Sequence, residues 1–180
     1  MRPLLDRLSS ASRAALRRLG EGGLTRLADG SRVLVRPLRP GDRERLREGI
    51  AALSFRTRYL RFHGGGPKPT ERELDLLLAL DGRDRVAWGA VEPRSDRGLG
   101  VARYARLEAE PTMAEFALTV IDRWQRRGLA RVLLDRLARS AQAAGIERFL
   151  RGAPDARRRS RRGRRDPANN WAACANRPRP

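Results

Sequence analysis

The 180-residue chain holds one cysteine, Cys174, so it has no internal disulfide and no cysteine-based zinc site. It holds one histidine, His63, which excludes a histidine metal cluster. Any Ser-His-Asp or Cys-His chemistry would have to use that one imidazole. No metal is expected. No apolar run is long enough to span a bilayer. The N-terminus lacks an apolar core followed by a small-residue cleavage site, so a cytoplasmic location is expected. Aromatic residues make up only 5% of the chain, yet 40% of it is apolar, enough for one core in a chain of single-domain length.

Lysine is also scarce. Lys68 is the only one among 40 basic residues, which face 21 acidic ones for a net charge of +19. A functional need for positive charge has no reason to exclude lysine, so the arginine excess reads as GC-rich coding. The charge is uneven. Residues 151–180 carry ten arginines and two acidic residues, with seven of the arginines inside residues 157–165. That stretch has no helical or strand periodicity and reads as a disordered tail. Its composition is what a shifted reading frame in GC-rich DNA would give.

Periodicity organises the rest. Residues 3–19 form a basic amphipathic helix with Leu4, Leu8, Ala15 and Leu19 on one face, closed by Gly20, Gly22 and Gly23. Residues 1–30 are therefore read as a helix and a linker. A strand follows at 32–38, then a helix from Pro40 to Leu53 and a short helix capped by Ser54. Tyr59 and Phe62 are read as core. Thr70 and Glu73 have capping-box spacing at the head of a further helix. Strands at 85–92 and 99–107 flank a turn, and another runs over 113–121. A long helix spans about 128–144, before a last strand at 146–150. The order predicts an α/β fold with a mixed, mostly antiparallel sheet flanked by helices.

The segment from Ala114 to Leu134 carries the chemistry. A strand runs through Asp122-Arg123-Trp124 into Gln125-Arg126-Arg127-Gly128-Leu129-Ala130 and then a helix. Unpaired N–H groups at such a helix start, with the helix dipole, suit a pyrophosphate. Gly128 allows close backbone approach, and Arg126 and Arg127 add charge. An ordinary helix start with surface arginines fits the same residues. The loop is neither a P-loop nor a dinucleotide fingerprint. Glu115 is the only charged residue in its apolar strand. It is either a general base for an incoming ammonium or a carboxylate paired with Arg103 or Arg106.

The run E-F-A-L-T-V-I-D-R-W-Q-R-R-G-L-A-R-V-L-L resembles the acetyl-CoA-binding segment of the GNAT superfamily of N-acetyltransferases, with Gln125, Gly128 and Ala130 on its Q/R-x-x-G-x-G/A pattern. The stretches V-R-P-L-R-P-G-D, F-R-T-R-Y-L-R-F-H and A-E-F-A-L-T-V resemble the bacterial protein-lysine acetyltransferase branch, and the similarity covers about residues 31–152. The resemblance implies acetyl-CoA as co-substrate and a primary amine as acceptor; the branch implies a protein lysine. It implies that the backbone of Leu118, Thr119 and Val120 meets the pantetheine arm. It implies that N–H groups from Arg126, Arg127, Gly128, Leu129, Ala130 and Arg131 hold the pyrophosphate. Glu115 falls on the branch's general-base position.

The family continues with a helix supplying an Asn and often a Tyr, then two long strands; no counterpart is legible after Leu150. Asn169 and Asn170 lie in a featureless stretch, and no tyrosine follows Tyr104. An inactive acyl-CoA-binding remnant and a basic nucleic-acid-binding protein acting through the tail stay open as alternatives. Trypsin is expected to remove the tail first and leave a fragment ending near Arg151. Survival of the tail arginines in a limited digest would show a folded segment instead.

Overall fold

The computed structural model describes residues 22–62 and 69–151. The expected N-terminal helix, His63 and the arginine-rich tail lie outside them. Among the described residues, six strands form one sheet in the order β1 (Gly23–Arg26), β2 (Arg32–Pro37), β3 (Arg85–Val91), β4 (Gly98–Arg106), β5 (Met113–Val120) and β6 (Arg148–Arg151). Every neighbouring pair is antiparallel except β5 and β6, which run parallel. The helices are α1 (Arg43–Ala51), α2 (Phe55–Phe62), α3 (Glu71–Leu78) and α4 (Leu129–Ala143). The elements predicted within the described residues are present with small shifts at their ends. No helix among the described residues is long and apolar enough to cross a membrane.

Strand β1 differs from the sequence reading, which placed residues 23–26 in a linker. Its hairpin closes through Asp29-Gly30-Ser31. The Asp29 carboxylate accepts from the Ser31 N–H at 2.9 Å, and Gly30 takes φ +85°. Only glycine adopts that angle without strain. The pair Asp29-Gly30 between alternating residues was the available signal.

Helix α4 covers one face of the sheet. Leu129, Leu133, Leu137 and Ala141, four residues apart, are buried against a core that includes Trp88, Tyr104 and Phe149. A Cβ on Gly100 would stand 2.9 Å from the Thr119 carbonyl oxygen and 3.3 Å from Leu133 Cδ1, so glycine is required where α4 presses onto β4. Trp88 is fully buried, and its indole N–H donates to Ser140 of α4 at 2.9 Å. The other face is covered by α1 and α3, through Leu46, Ile50 and Leu74. Thr70 and Glu73 form the expected capping box on α3. Tyr59 is not core: it is exposed and stacks on Phe55 at 6.1 Å.

Asp42 ties β2 to α1. Its buried carboxylate accepts from both terminal nitrogens of Arg36, at 2.8 and 2.6 Å, from the Arg39 N–H at 2.8 Å and from Arg45 at 3.1 Å. The Arg36 guanidinium holds the Asp42 carboxyl below the usual carboxylate range, against the opposing effect of burial. A lowered folded pKa gives stability that is complete above the ordinary carboxylate value and lost as pH falls through the folded one. Asp42→Asn is expected to lower unfolding free energy at neutral pH by about 1.5–3 kcal/mol. Urea titrations should show the parent losing stability below about pH 5 more steeply than the variant.

Candidate active site

The parallel pair creates an opening. Among the described residues, strands β5 and β6 pair from Met113 with Arg148 to Phe116 with Arg151. Beyond Phe116, β5 continues to Val120 with no strand beside it on that edge among the described residues. Four hydrogen bonds fix which backbone groups face the opening. The Ile121 N–H donates to Leu99 and the Met113 carbonyl accepts from Leu107, so odd-numbered residues of β5 turn toward β4. The Thr112 carbonyl accepts from Glu147 and Arg148, so even-numbered residues turn toward β6. Leu118 and Val120 therefore direct backbone groups into the opening. The Thr119 backbone is turned toward β4, opposite Val101.

The loop after β5 is held on three sides. Gln125 donates its side-chain N–H to the Val120 carbonyl at 3.0 Å, folding the loop back onto the strand end. Trp124 is buried, and the Arg127 guanidinium lies over its ring at 5.0 Å while pairing with Asp29 at 3.4 Å. The Asp122 carboxylate accepts from the Ser54 N–H at 2.9 Å and from the Ser54 and Thr57 hydroxyls, each at 2.8 Å. The loop is thereby fastened to the head of α2. The Ser54 N–H bond comes first among the contacts that keep the Asp122 carboxyl below its ordinary range.

Arg126 and Gly128 both take left-handed backbone angles, φ +60° and +89°. Gly128 is the N-cap of α4, and no side chain caps that helix. The first i to i−4 bond joins the Val132 N–H to the Gly128 carbonyl at 3.2 Å. The N–H groups of Leu129, Ala130 and Arg131 thus have no acceptor within the helix. They stand at its positive end with Arg126 and Arg131 exposed beside them, an arrangement suited to a phosphate group.

Glu115 lies within the paired stretch, opposite Ala105 on β4 and Leu150 on β6. Its side chain is half-buried on the face that carries Ala117 and Thr119. No ion pair joins it to Arg103 or Arg106. Arg106 is on the other face, bound to Asp84 at 2.6 Å, to the Ala144 carbonyl at 2.7 Å and to the Pro111 carbonyl. Arg103 donates to the Leu76 carbonyl at 3.3 Å.

The sequence matches the acetyltransferase (GNAT) family over residues 54–162. The chain belongs to this family. It is 36% identical over 101 residues to acetyltransferase Pat of Mycolicibacterium smegmatis, a match covering 56% of this chain and 30% of that protein. It spans, then, less than a third of that relative. The GNAT domain of S. lividans PAT superposes with a TM-score of 0.66 at 31% identity, over 71% of this chain and 76% of that one. A cAMP-binding acyltransferase from Mycobacterium smegmatis matches at 30% identity with a TM-score of 0.50, over 83% of this chain and 43% of that one. The fold and enzyme class expected from the motif are those of the family.

In this GNAT chain the loop geometry makes Gly128 a sensitive position. A Cβ there would meet only Ala28, at 3.6 Å, so bulk is not the obstacle. Aspartate would add strain at a positive φ, and its carboxylate would take the helix-end N–H groups for itself. Gly128→Asp is expected to weaken acetyl-CoA binding at least about tenfold in calorimetry, since one charge-assisted set of hydrogen bonds is lost. Equal affinity in variant and parent would remove the pyrophosphate from this loop.

Proposed function

We propose that the chain transfers an acetyl group from acetyl-CoA to a primary amine, with a protein lysine as the acceptor. The observation that carries the reading is the continuity of the opening beside Leu118 and Val120 with the uncapped start of α4. An extended pantetheine arm can pair with a strand edge as another strand would, and its pyrophosphate then reaches the helix N-terminus. The similarity to the protein-lysine branch favours a protein acceptor over a small amine.

Glu115 is the base in this reading. It is the carboxylate on β5 and is unpaired among the described residues, one turn of the pleat before the strand becomes free. It takes a proton from the incoming ammonium, directly or through one water. The amine nitrogen then bonds to the thioester carbonyl carbon, the C–S bond breaks, and CoA leaves as the thiolate. Tyr104 does not protonate it. Its hydroxyl is buried and donates to the Arg83 carbonyl at 2.8 Å, and desolvation pushes its pKa far above the ordinary phenol value. The nitrogen gives up its second proton to water as the amide forms, and the thiolate takes a proton from water in return.

Glu115→Gln keeps size and removes the base. Acetyl-CoA should bind as before, while transfer to lysine falls by about 10²–10⁴-fold at neutral pH. Turnover unchanged across pH 6–9 would return Glu115 to a structural role.

A further inference from the structure

The turn between β1 and β2 reaches the loop that follows β5, far from it in sequence. A Cβ on Gly128 would stand 3.6 Å from Ala28 Cβ and 3.7 Å from Ala28 N, so the turn packs against the loop there. The next residue, Asp29, divides its carboxylate. Oδ1 accepts from the Ser31 N–H at 2.9 Å and closes the turn. Oδ2 accepts from the Arg127 guanidinium at 3.4 Å. The turn is a firm support. Leu27 is buried in the main core, its N–H donates to the Ser31 carbonyl at 2.8 Å, and its carbonyl accepts from Gly30 at 3.0 Å.

What this support acts on is the backbone of Arg126. An arginine at φ +60° is strained and has to be held there by its surroundings. Both of its neighbours are anchored. Gln125 donates to the Val120 carbonyl, and Arg127 binds Asp29 and lies over the buried Trp124 ring. Arg126 and Gly128 are left-handed while Arg127 between them is not, and such alternation turns successive N–H groups into one concavity. The two arginines therefore differ. The Arg126 guanidinium is exposed with no partner among the described residues, whereas that of Arg127 is engaged by a carboxylate and a ring. We infer that Asp29 and Arg127 are positioning residues for acyl-CoA: their pair sets the loop backbone that receives the pyrophosphate, and the Arg127 side chain does not itself bind phosphate. The inference rests on the acyl-CoA site described above and adds the residues that give that site its shape.

The sign of one substitution separates the two uses of Arg127. Asp29→Asn keeps an oxygen for the Ser31 N–H but ends the ion pair. An arginine that binds phosphate would be released by this change, and acetyl-CoA would bind more tightly. A brace lost in the same way weakens binding. The test is calorimetry on the full chain with acetyl-CoA, comparing the parent with Asp29→Asn, Arg127→Gln and the double variant. Asp29→Asn should weaken binding about threefold and Arg127→Gln, which also loses the ring contact, about fivefold. The double variant should match Arg127→Gln alone, because both changes break one pair. Binding stoichiometry should stay at the parent value, since the loss is in loop shape and not in the amount of folded protein. Tighter or unchanged binding in Asp29→Asn, or effects that add in the double variant, would overturn the inference and leave the acetyl-CoA site in place. So would a fall in stoichiometry at unchanged affinity, which would make the pair a matter of stability alone. Failure of acetyl-CoA to bind the parent would overturn the site together with it.

Discussion

The switch from antiparallel to parallel pairing at β5 is the constraint on which the site depends. Antiparallel strands are joined by tight turns, as at Glu92–Arg97, and leave no room between them. A parallel neighbour has to be reached by a crossover, and here α4 supplies it. The crossover places a helix N-terminus at the carboxyl end of β5. Among the described residues β5 and β6 share four pairs, and the upper part of β5 has no strand beside it. A helix start with free N–H groups and a free strand edge then come from one topological feature, as at the switch points of other α/β sheets.

Much of this was legible in the residues, because the relevant signals are local. The Leu129, Leu133, Leu137 and Ala141 spacing marks α4, Gly128 marks its start, and the single acid of an apolar strand marks Glu115. What escaped depends on contacts between distant residues. Strand β1 is short and half-exposed, and only its pairing with β2 makes residues 23–26 a strand. Tyr59 was read as core because aromatic residues usually are, yet α2 turns it outward onto Phe55. The requirement for glycine at Gly100 comes from Thr119 and Leu133 on other elements. Which β5 residues free their backbone is set by alternation, and the phase of that alternation needs a partner strand to define it.

The arginines illustrate the same separation of local from distant information. A net charge of +19 suggests a basic surface. Within the described residues many arginines are instead internal fasteners. Arg36 and Arg45 hold Asp42, and Arg43 and Arg47 bridge α1 to Glu71 of α3. Arg106 joins β4 to the Asp84 loop and the end of α4. The exposed pairs add little stability individually, whereas the Asp42 cluster is buried and fully hydrogen-bonded. Composition alone cannot separate these uses, because a guanidinium that closes a fold and one that faces solvent count equally.

One strand thus serves three purposes through its parity. The even-numbered backbone groups at Leu118 and Val120 face the free edge, and their side chains turn toward α4. The odd-numbered side chains, Glu115, Ala117 and Thr119, face the α1 side, where a carboxylate is followed by two small residues and a cavity. The strand then ends in the loop that Gln125 folds back onto Val120 and Asp122 fastens to α2. Because a one-residue slip of β5 against β4 would exchange its two faces, all three functions depend on the register Gly100 to Val120 through Arg106 to Ala114. Gly100 is what enforces that register from the far side of the sheet: its missing side chain lets Leu133 seat against β4, and α4 can only then bring its free N–H groups to the end of β5.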